Sequence, residues 1–489
     1  MALPNPFRRW NENTRECWGY VFDLSDDHLT PENSRPLRYS YDILGEECLD
    51  RLNAISPPKS RGPPQTKGPD GESGDNAEES SEKRPPERDL YVLLRDNHAS
   101  DPKLSTLWTE LTTIPPWVDW DQIARGQDVF YRYGGAALTG LAYQSLLGGM
   151  GAARVVETLA RTGGFGIRVA RRRMFETMQH ILQCTAGVES LRVDGAGFVS
   201  SVKVRLLHAA VRKRIMALAR AREGYYDIEA WGVPVNDLDC IATIATFSAT
   251  LIFLSWPRQG IILRRQETED YVALWRYIAY LVGCPTEYFE TPEKARAAME
   301  SLLYYEIKPT KTSAILANNI IRGLQDQPPA YPSADMLIAS ARWLNGNKLC
   351  DALELPRPGL YYWALMAGQC VFFMFMFYGH RCIPYLDRKK VAFVRRTMWK
   401  LVIESKAGLS GQQTNFEFKY VPEYSTITDM GNVKPLKGQV SSVERRNLKA
   451  LLLGLCAVGA MSWGTYKAVS GIGSLCFRLF SYGVGLICT

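Results

Sequence analysis

The sequence predicts a mostly α protein, and three observations support that class. Helical periodicity dominates from Asp89 to about Glu423, with few runs that alternate as a strand does. Hydrophobic residues make up 46% of the 489-residue chain, which is enough for a sizeable core. Long apolar stretches near the C-terminus have the length of buried or membrane-associated helices. One large helical domain with appendages therefore fits this length as well as several average domains do.

Composition divides the chain into four parts. Residues 1–55 are expected to belong to the helical domain, and residues 89–425 are expected to form its main body. Between them, residues 56–88 consist largely of Pro, Gly, Ser and charged residues, which bury too little apolar surface to offset their ordering entropy. This segment is predicted to be a disordered surface insertion. Residues 426–489 are expected to form a linker and a hydrophobic, membrane-associating tail.

Charge and cysteine usage exclude several classes of protein. The formal charge of +7 comes from 58 basic and 51 acidic residues spread along the chain, without a polybasic block. Zinc-finger spacing and RNA-binding strand signatures are missing from the sequence, so nucleic acid is not the expected partner. A membrane surface or an anionic ligand group accounts better for the basic excess. Eleven scattered cysteines predict reduced thiols, and the N-terminus lacks the apolar core of a secretory signal.

A glycine-rich stretch follows the helix predicted to begin at Trp120. It runs from Gly134 to Gly151 and is made of small and apolar residues, which permit close packing of backbone on backbone. A nucleotide-binding loop would need GxGxxG after a strand, or a Walker lysine, and neither occurs here. A structural role is therefore predicted for Gly148, Gly149 and Gly151.

Three C-terminal stretches could contact lipid. Leu360 to Gly379 carries no charge and is about as long as a bilayer crossing, although a buried core helix has the same composition. Ala450 to Tyr466 is shorter and follows three basic residues. A second apolar run, Ile472 to Ile487, favours a membrane hairpin or an interfacial anchor for the tail.

His208 is the strongest candidate among only five histidines, since His28 and His98 lie in polar sequence and are predicted to be surface residues. His208 lies on a predicted helix whose apolar stripe comprises Val204, Leu207, Val211, Ile215 and Leu218. A buried, hydrogen-bonded histidine is one interpretation of this pattern. An axial haem ligand is the other, with Arg205 and Arg212 one turn to either side, where they could reach the propionates.

A second constellation lies in RVARRRMFETMQHILQC. Its members Arg173, Glu176, Thr177, His180 and Cys184 share one helical face. A solvated face explains the charged residues, but it explains a stripe of threonine, histidine and cysteine less well. The pattern therefore favours a functional site.

Glu157 occupies the preceding predicted helix, amid valine and leucine. A carboxylate in apolar surroundings either pairs with a cation, here Arg154 or Arg161, or holds its proton more tightly. The second property suits a proton acceptor near a substrate. Both interpretations remain open from the sequence.

Six ordered segments together resemble a known family. They are WVDWDQIARGQDVFYRYG, ETLARTGGF, RRRMFETMQHI, VRLLHAAVR, PVNDLDCIATIATFS and NFEFKYVPEY. The series is similar to the catalytic domain shared by rubber oxygenase (latex-clearing protein) and the endoplasmic-reticulum MpaB oxygenases, and it covers roughly Trp117 to Tyr424. An ordered series is far more specific than any one of its motifs.

The resemblance assigns roles to individual residues. His208 matches the proximal haem histidine, and Arg173 and Thr177 match the distal arginine and threonine. Glu157 matches the glutamate proposed as the base in rubber oxygenase. Glu176 departs from the pattern, because the rubber-cleaving enzymes have a lysine there that can cap the iron, and a glutamate cannot supply that cation.

The resemblance implies a haem b cofactor in a globin-related helical domain at residues 89–425. It further implies that the protein uses dioxygen to oxidise a lipophilic alkene or isoprenoid substrate in secondary metabolism. The resemblance also implies that the protein is associated with the membrane of the endoplasmic reticulum. Two alternatives are open. One is a non-haem iron site built from His180, His208, Glu157 and Glu176, and the other is an inactive membrane-associated scaffold.

Overall fold

The computed structural model describes residues 10–58, 88–162 and 165–416, together with scattered positions between 445 and 467. Most of the predicted insertion lies outside the described residues, as do most of the predicted tail, its Ile472 to Ile487 run, and all but the first two residues of NFEFKYVPEY. The scattered positions between 445 and 467 are helical.

The N-terminal half of the described chain begins with a β-hairpin and continues in helices. Its elements are β1 (Thr14–Cys17), β2 (Tyr20–Asp23), α1 (Pro31–Ser34), α2 (Ile43–Ile55), α3 (Leu90–Asn97), α4 (Pro102–Thr112), α5 (Trp120–Arg132), α6 (Gly134–Thr139), α7 (Ala153–Arg161), α8 (Ile167–Cys184), α9 (Val188–Leu191) and α10 (Ala196–Ala221). A wide π-type helical segment, Gly140–Gly148, joins α6 to the loop before α7.

The remaining described elements are all helical. They are α11 (Ile228–Trp231), α12 (Asp237–Phe247), α13 (Trp256–Arg258), α14 (Arg265–Leu281), α15 (Pro292–Tyr305), α16 (Lys311–Leu324), α17 (Ala334–Asn345), α18 (Asn347–Ala352), α19 (Leu360–Arg381) and α20 (Pro384–Trp399). Further π-type segments lie at Leu251–Ser255 and Lys400–Glu404. The predicted mostly α class is confirmed.

Helix ends follow local sequence rules. Asp119 caps α5 by accepting hydrogen bonds from the backbone amides of Asp121 and Gln122. Asp101 caps α4 in the same way, and Pro102 occupies the first helical position, where its missing N–H costs nothing. The helix predicted to begin at Trp120 does begin there.

The closest helix pair in the core is α5 with α14. A Cβ added to Gly126 would lie 2.3 Å from the backbone oxygen of Asp270, so the two helices can approach this closely only because residue 126 is glycine. Arg125 donates two hydrogen bonds to the Asp270 carboxylate beside this contact. The main apolar core extends from this pair to α2, α4, α10 and α12.

The N-terminal hairpin was not predicted from the sequence. In register, Thr14 pairs with Asp23 and Cys17 with Tyr20. The phenol of Tyr20 donates to Glu300 on α15 at 2.7 Å, which fastens the hairpin to the helical body. A four-residue strand contains too few positions to establish an alternating pattern, so strands of this length are weakly marked in the sequence.

The prediction that His28 is a surface residue is wrong. Its side chain is buried, and its Nε2 lies 3.0 Å from the buried carboxylate of Glu300. The backbone amide of Ser25 donates to its Nδ1, so both ring nitrogens have partners. The polar neighbours along the chain gave no sign of a carboxylate 272 positions away.

Helix α19 has features both of a membrane-crossing helix and of a buried core helix, the two interpretations of its sequence. It is long and apolar enough to cross a membrane, yet only 22% of its most apolar window is buried. The buried residues Tyr362, Met366, Cys370 and Phe377 form one stripe against α17 and α20. The opposite side of the helix is exposed.

Candidate active site

His208 lies at the centre of a half-buried apolar face of α10. Val204, Leu207 and Val211 surround it at helical spacing, and each of them is also half-buried. The Nδ1 atom of His208 is buried and has no hydrogen-bond partner among the described residues. Burial, with a smaller contribution from the charge of Arg212, lowers the pKa of His208 to about 4. The side chain is therefore a neutral imidazole with an unused nitrogen.

The predicted stripe on α10 is buried only towards the C-terminal end of the helix, at Ile215 and Leu218. In the first half of the helix the deepest positions are instead Phe198, Ser201, Val202, Leu206 and Ala209. Buried arginines extend that face, and their charges are neutralised by carboxylates from other helices.

Arg205 and Arg212 make these ion pairs. Arg205 binds both oxygens of Asp42, at 2.7 and 2.8 Å, and also contacts Glu110 at 2.8 Å. Arg212 donates to Glu46 at 2.8 Å and to the backbone oxygen of Val235. Because these donors are taken up by protein groups, the arrangement favours a structural role over the predicted contact with haem propionates.

Helix α8 packs antiparallel to α10. Cys184 contacts Ser201 through its sulfur at 3.6 Å, and His180 contacts Ser200 through Nδ1 at 3.0 Å. In the same antiparallel register, Arg173 and Thr177 lie one to two turns further along α8, opposite the part of α10 that runs from Val204 to His208. Burial lowers the pKa of His180 to about 4, with a smaller contribution from His208.

The α8 constellation divides between two sides. His180 and Cys184 are buried against α10, and the thiol of Cys184 has its pKa raised to about 12 by burial. Arg173 and Thr177 lie at the edge of a large cavity. The Glu176 carboxylate forms ion pairs with two arginines of its own helix, Arg172 at 3.2 Å and Arg173 at 3.5 Å.

The cavity has a volume of about 650 Å³, which is in the range of sites for small organic molecules. One wall consists of the α8 residues Arg173, Met174, Thr177, Met178 and Ile181. Apolar residues of the segment Gly140–Gly148 and of α12 form much of the remainder. His208 does not belong to the lining, whereas Arg173 and Thr177 do.

Three threonines of the cavity region were missed by the sequence analysis. Thr243, Thr246 and Thr250 line the cavity from α12 and the residues after it, at spacings of three and four. This polar stripe within the otherwise apolar run DCIATIATFSAT is a signal that could have found them.

Glu157 is paired with Arg161. The two side chains are joined by a 2.6 Å contact, and both are buried. Val155 and Leu159 of the same helix line the cavity, whereas Glu157 does not. Of the two interpretations left open by the sequence, the ion pair is the one observed.

The described residues offer an unpartnered imidazole nitrogen but no clustered metal site. Across residues 10–58, 88–162 and 165–416, no three His, Cys, Asp or Glu side chains are arranged to hold a metal ion. His180, His208, Glu157 and Glu176 therefore do not converge as the non-haem alternative requires. A haem needs only one protein nitrogen, and the neutral imidazole of His208 on an apolar face fits that requirement.

Comparisons with known proteins match part of this chain. Residues 131–373, which include all the predicted catalytic residues and His208, match the family described as ER-bound oxygenase mpaB/B'/Rubber oxygenase, catalytic domain. A 33-residue segment is 58% identical to aurantioclavine synthase cnsA of Penicillium expansum, and it spans 7% of this chain and 7% of that protein. The closed state of latex clearing protein LCP superposes with a TM-score of 0.45 at 17% identity, over 60% of this chain and 79% of LCP. Residues 131–373 therefore carry the catalytic domain of the mpaB/rubber oxygenase family.

Proposed function

We propose that this protein is a haem b-dependent oxygenase that uses dioxygen to oxidise a lipophilic alkene or isoprenoid-containing substrate. Cleavage of a C=C bond in secondary metabolism is the reaction we favour. The observation that carries the proposal is the neutral, half-buried imidazole of His208, whose Nδ1 has no partner in the described part of the chain. An iron ligand must be unprotonated and must not be committed to a strong hydrogen bond through the ligating nitrogen.

The haem would be held by His208, on the half-buried apolar face that it shares with Val204, Leu207 and Val211. When bound, a ferrous haem supplies the site at which dioxygen is activated. Arg205 and Arg212 fit poorly as propionate partners, because Asp42, Glu46 and Glu110 already neutralise them. We therefore assign both arginines to the stability of α10.

Arg173 and Thr177 would act on the substrate side. Both border the cavity, and a guanidinium offers five N–H donors, of which Glu176 engages only one, at the long distance of 3.5 Å. Donors placed at a cavity wall stabilise negative charge that develops on an oxygen during reaction. Glu176, through the same contact, is a positioning residue for Arg173.

Glu157 is our candidate for the group that removes an allylic proton. Its helix contributes Val155 and Leu159, two positions to either side of Glu157, to the cavity wall. Arg161 holds the carboxylate in one orientation by a direct contact and a second hydrogen bond to the backbone oxygen of Glu157. A carboxylate held in one orientation suits proton abstraction from a substrate that reaches it.

The lining of the cavity supports a lipophilic substrate. Leucine, methionine, phenylalanine and alanine side chains predominate, and the polar groups are mainly uncharged hydroxyls and amides. The relative's name, aurantioclavine synthase, supports a role in secondary metabolism. The family description, which names ER-bound enzymes, supports a location at the endoplasmic reticulum.

The decisive experiment is an absorption spectrum of the purified full chain, expressed with ample haem precursor. We expect a Soret band and a pyridine haemochrome for the wild type, and the loss of both in His208→Ala. His180→Ala is the matched control, because His180 is a buried neighbour whose Nδ1 already contacts Ser200. We expect that variant to keep its haem.

Three other outcomes would overturn the proposal. A folded, colourless wild type excludes haem, and bound iron without a Soret band indicates the non-haem alternative. Haem binding without any oxygen consumption in the presence of isoprenoid or prenylated substrates indicates an inactive scaffold.

A further inference from the structure

Helices α19 and α20 expose a continuous apolar surface. On α19, Val371, Phe372 and Phe375 are 50%, 58% and 77% exposed. On α20, Leu386 and Phe393 are 39% and 62% exposed. We call these five residues the α19–α20 face. Exposed phenylalanines in a group are uncommon on a soluble surface and indicate a contact with another apolar phase.

Basic residues accompany this face. From Leu360 to Glu404 the chain has seven lysines and arginines and two acidic residues, Asp387 and Glu404. Asp387 is buried and paired with Arg132 and Lys390, so only Glu404 offsets the surface charge. Lys389 and Arg396 are exposed on α20, and Lys400 is exposed directly after it, at helical spacing with Leu386 and Phe393. One side of α20 therefore alternates apolar and cationic groups, as helices that lie in a membrane interface do.

Helix α19 is fastened to the protein along most of its length. Trp363 packs on Trp343 of α17 near the start, with ring centroids 6.1 Å apart, and the Gln369 amide reaches Thr139 of α6 at 3.4 Å. Near the end, the Tyr378 hydroxyl donates to the backbone oxygen of Gly260 and accepts from the amide of Ile262. A bilayer crossing by α19 would carry these polar neighbours into the hydrocarbon, at a high cost in free energy.

We propose that the α19–α20 face docks the protein in the plane of an anionic lipid surface. The phenylalanines would enter the interface, and Lys389, Arg396 and Lys400 would contact lipid phosphates. Charge complementarity selects this occupant, since an apolar partner protein would not require the cationic stripe.

Docking in this orientation would bring the cavity close to the lipid. Thr139 lines the cavity and contacts Gln369 of α19, so one wall of the cavity lies directly beneath the docking helix. A lipophilic substrate dissolved in the membrane could then reach the cavity without crossing water, a consequence that rests on the proposed function. The docking itself does not depend on the cofactor.

The test is flotation of the full chain with phosphatidylcholine vesicles and with the same vesicles containing phosphatidylserine. The apolar variant is Phe372→Glu/Phe375→Glu. Its matched control is Ile43→Glu/Ile114→Glu, because these isoleucines are 61% and 49% exposed on other parts of the protein. The charge variant is Lys389→Gln/Arg396→Gln/Lys400→Gln, and its control replaces Lys103, Lys213 and Lys348 by glutamine.

We expect wild type and both controls to float with phosphatidylserine vesicles, and added salt to weaken that binding. The apolar variant should bind at least about tenfold more weakly, and the charge variant should lose its preference for phosphatidylserine. Circular dichroism and the Soret band, recorded on the same preparations, separate a loss of docking from a loss of fold or of cofactor.

Three results would overturn the inference. If the wild type floats with neither vesicle, the face does not bind lipid. If the variants float as the wild type does, the lipid anchor lies elsewhere, as in residues 426–489. If the apolar variant converts a wild-type dimer to a monomer without changing flotation, the face is an interface between two copies of the chain.

Discussion

The Glu157 carboxylate and the Arg161 guanidinium lie 2.6 Å apart, one turn from each other on α7, and both are buried. Arg161 also donates to the backbone oxygen of Tyr225, and its guanidinium lies 5.2 Å from the ring centre of Tyr226. The pair therefore joins α7 to the loop that follows α10. This arrangement gives Glu157 a structural role in addition to its proposed chemical one.

Replacing Glu157 by glutamine separates the two roles. The amide keeps the shape and one acceptor but removes the charge, so we expect the free energy of unfolding to fall by about 2 kcal/mol. If Glu157 is also the proton acceptor, the turnover number of the folded enzyme should fall at least about 100-fold. Denaturant titration measures the first effect, and turnover per bound haem measures the second.

Arg161→Met is the control for this experiment, because it breaks the same ion pair while leaving the carboxylate. We expect it to lose stability but to retain more turnover per bound haem than Glu157→Gln. Equal turnover in the two variants would show that only the pair matters, and the assignment of Glu157 as a base would be wrong.

The two buried histidines predict a pH dependence of stability. The pKa values of His180 and His208 are lowered by burial from an ordinary 6.5 to about 4. The unfolded chain therefore takes up protons as the pH falls below about 6.5, whereas the folded chain takes them up only near pH 4. The free energy of unfolding should decrease across this window, by up to about 3 kcal/mol for each histidine. Denaturant titrations of the haem-free protein from pH 7 to pH 4 measure it.

Substitutions identify the groups responsible. His208→Gln and His180→Gln should each flatten the dependence, while His98→Gln should leave it unchanged, because His98 lies near the surface and contacts only the backbone of Arg95 and the ring of Trp108. A slope that persists in the His180→Gln/His208→Gln double variant would contradict this account.

Local patterns predicted much of the helical fold and the candidate ligand. Spacings within about ten residues, which can be read directly from the sequence, predicted three features. They are the helix at Trp120, the apolar face around His208, and the shared face of Arg173 and Thr177. The partners of the charged groups could not be predicted in the same way. Asp42, which binds Arg205, lies 163 positions away, and helical periodicity carries no information at that separation.

The lack of information about distant residues also explains why Arg205 and Arg212 were assigned to the cofactor from the sequence. A basic residue one turn from a ligand histidine is compatible with a propionate and equally with a carboxylate of another helix. Only the packing of α2 against α10, together with the contact that Glu110 of α4 makes with Arg205, distinguishes the two. The bonds of Arg205 to Asp42 and Glu110 lead to a specific prediction.

Arg205→Met should destabilise the fold without removing the cofactor. The substitution leaves Asp42 without its buried partner, so we expect a loss of about 4 kcal/mol in the free energy of unfolding. The ratio of Soret absorbance to folded protein should stay at the wild-type value. In Arg205→Met/Asp42→Leu, which removes both charges, we expect part of the stability to return. A haem deficit with unchanged stability would instead support propionate binding by Arg205.

Two adjacent glycines of the cavity wall should respond oppositely to alanine. A Cβ on Gly148 would lie 2.0 Å from Oδ1 of Asn345, the atom that accepts a hydrogen bond from Gln144. Gly148→Ala must displace that side chain, so we expect a loss of about 2 kcal/mol in the free energy of unfolding. Gly149 has helical backbone angles and nothing within 4 Å of an added Cβ, so Gly149→Ala should stabilise the protein by about 0.5 kcal/mol through the entropy of the unfolded chain. Thermal unfolding of the two variants measures the difference, and equal shifts would contradict the close packing of Gly148 on α17.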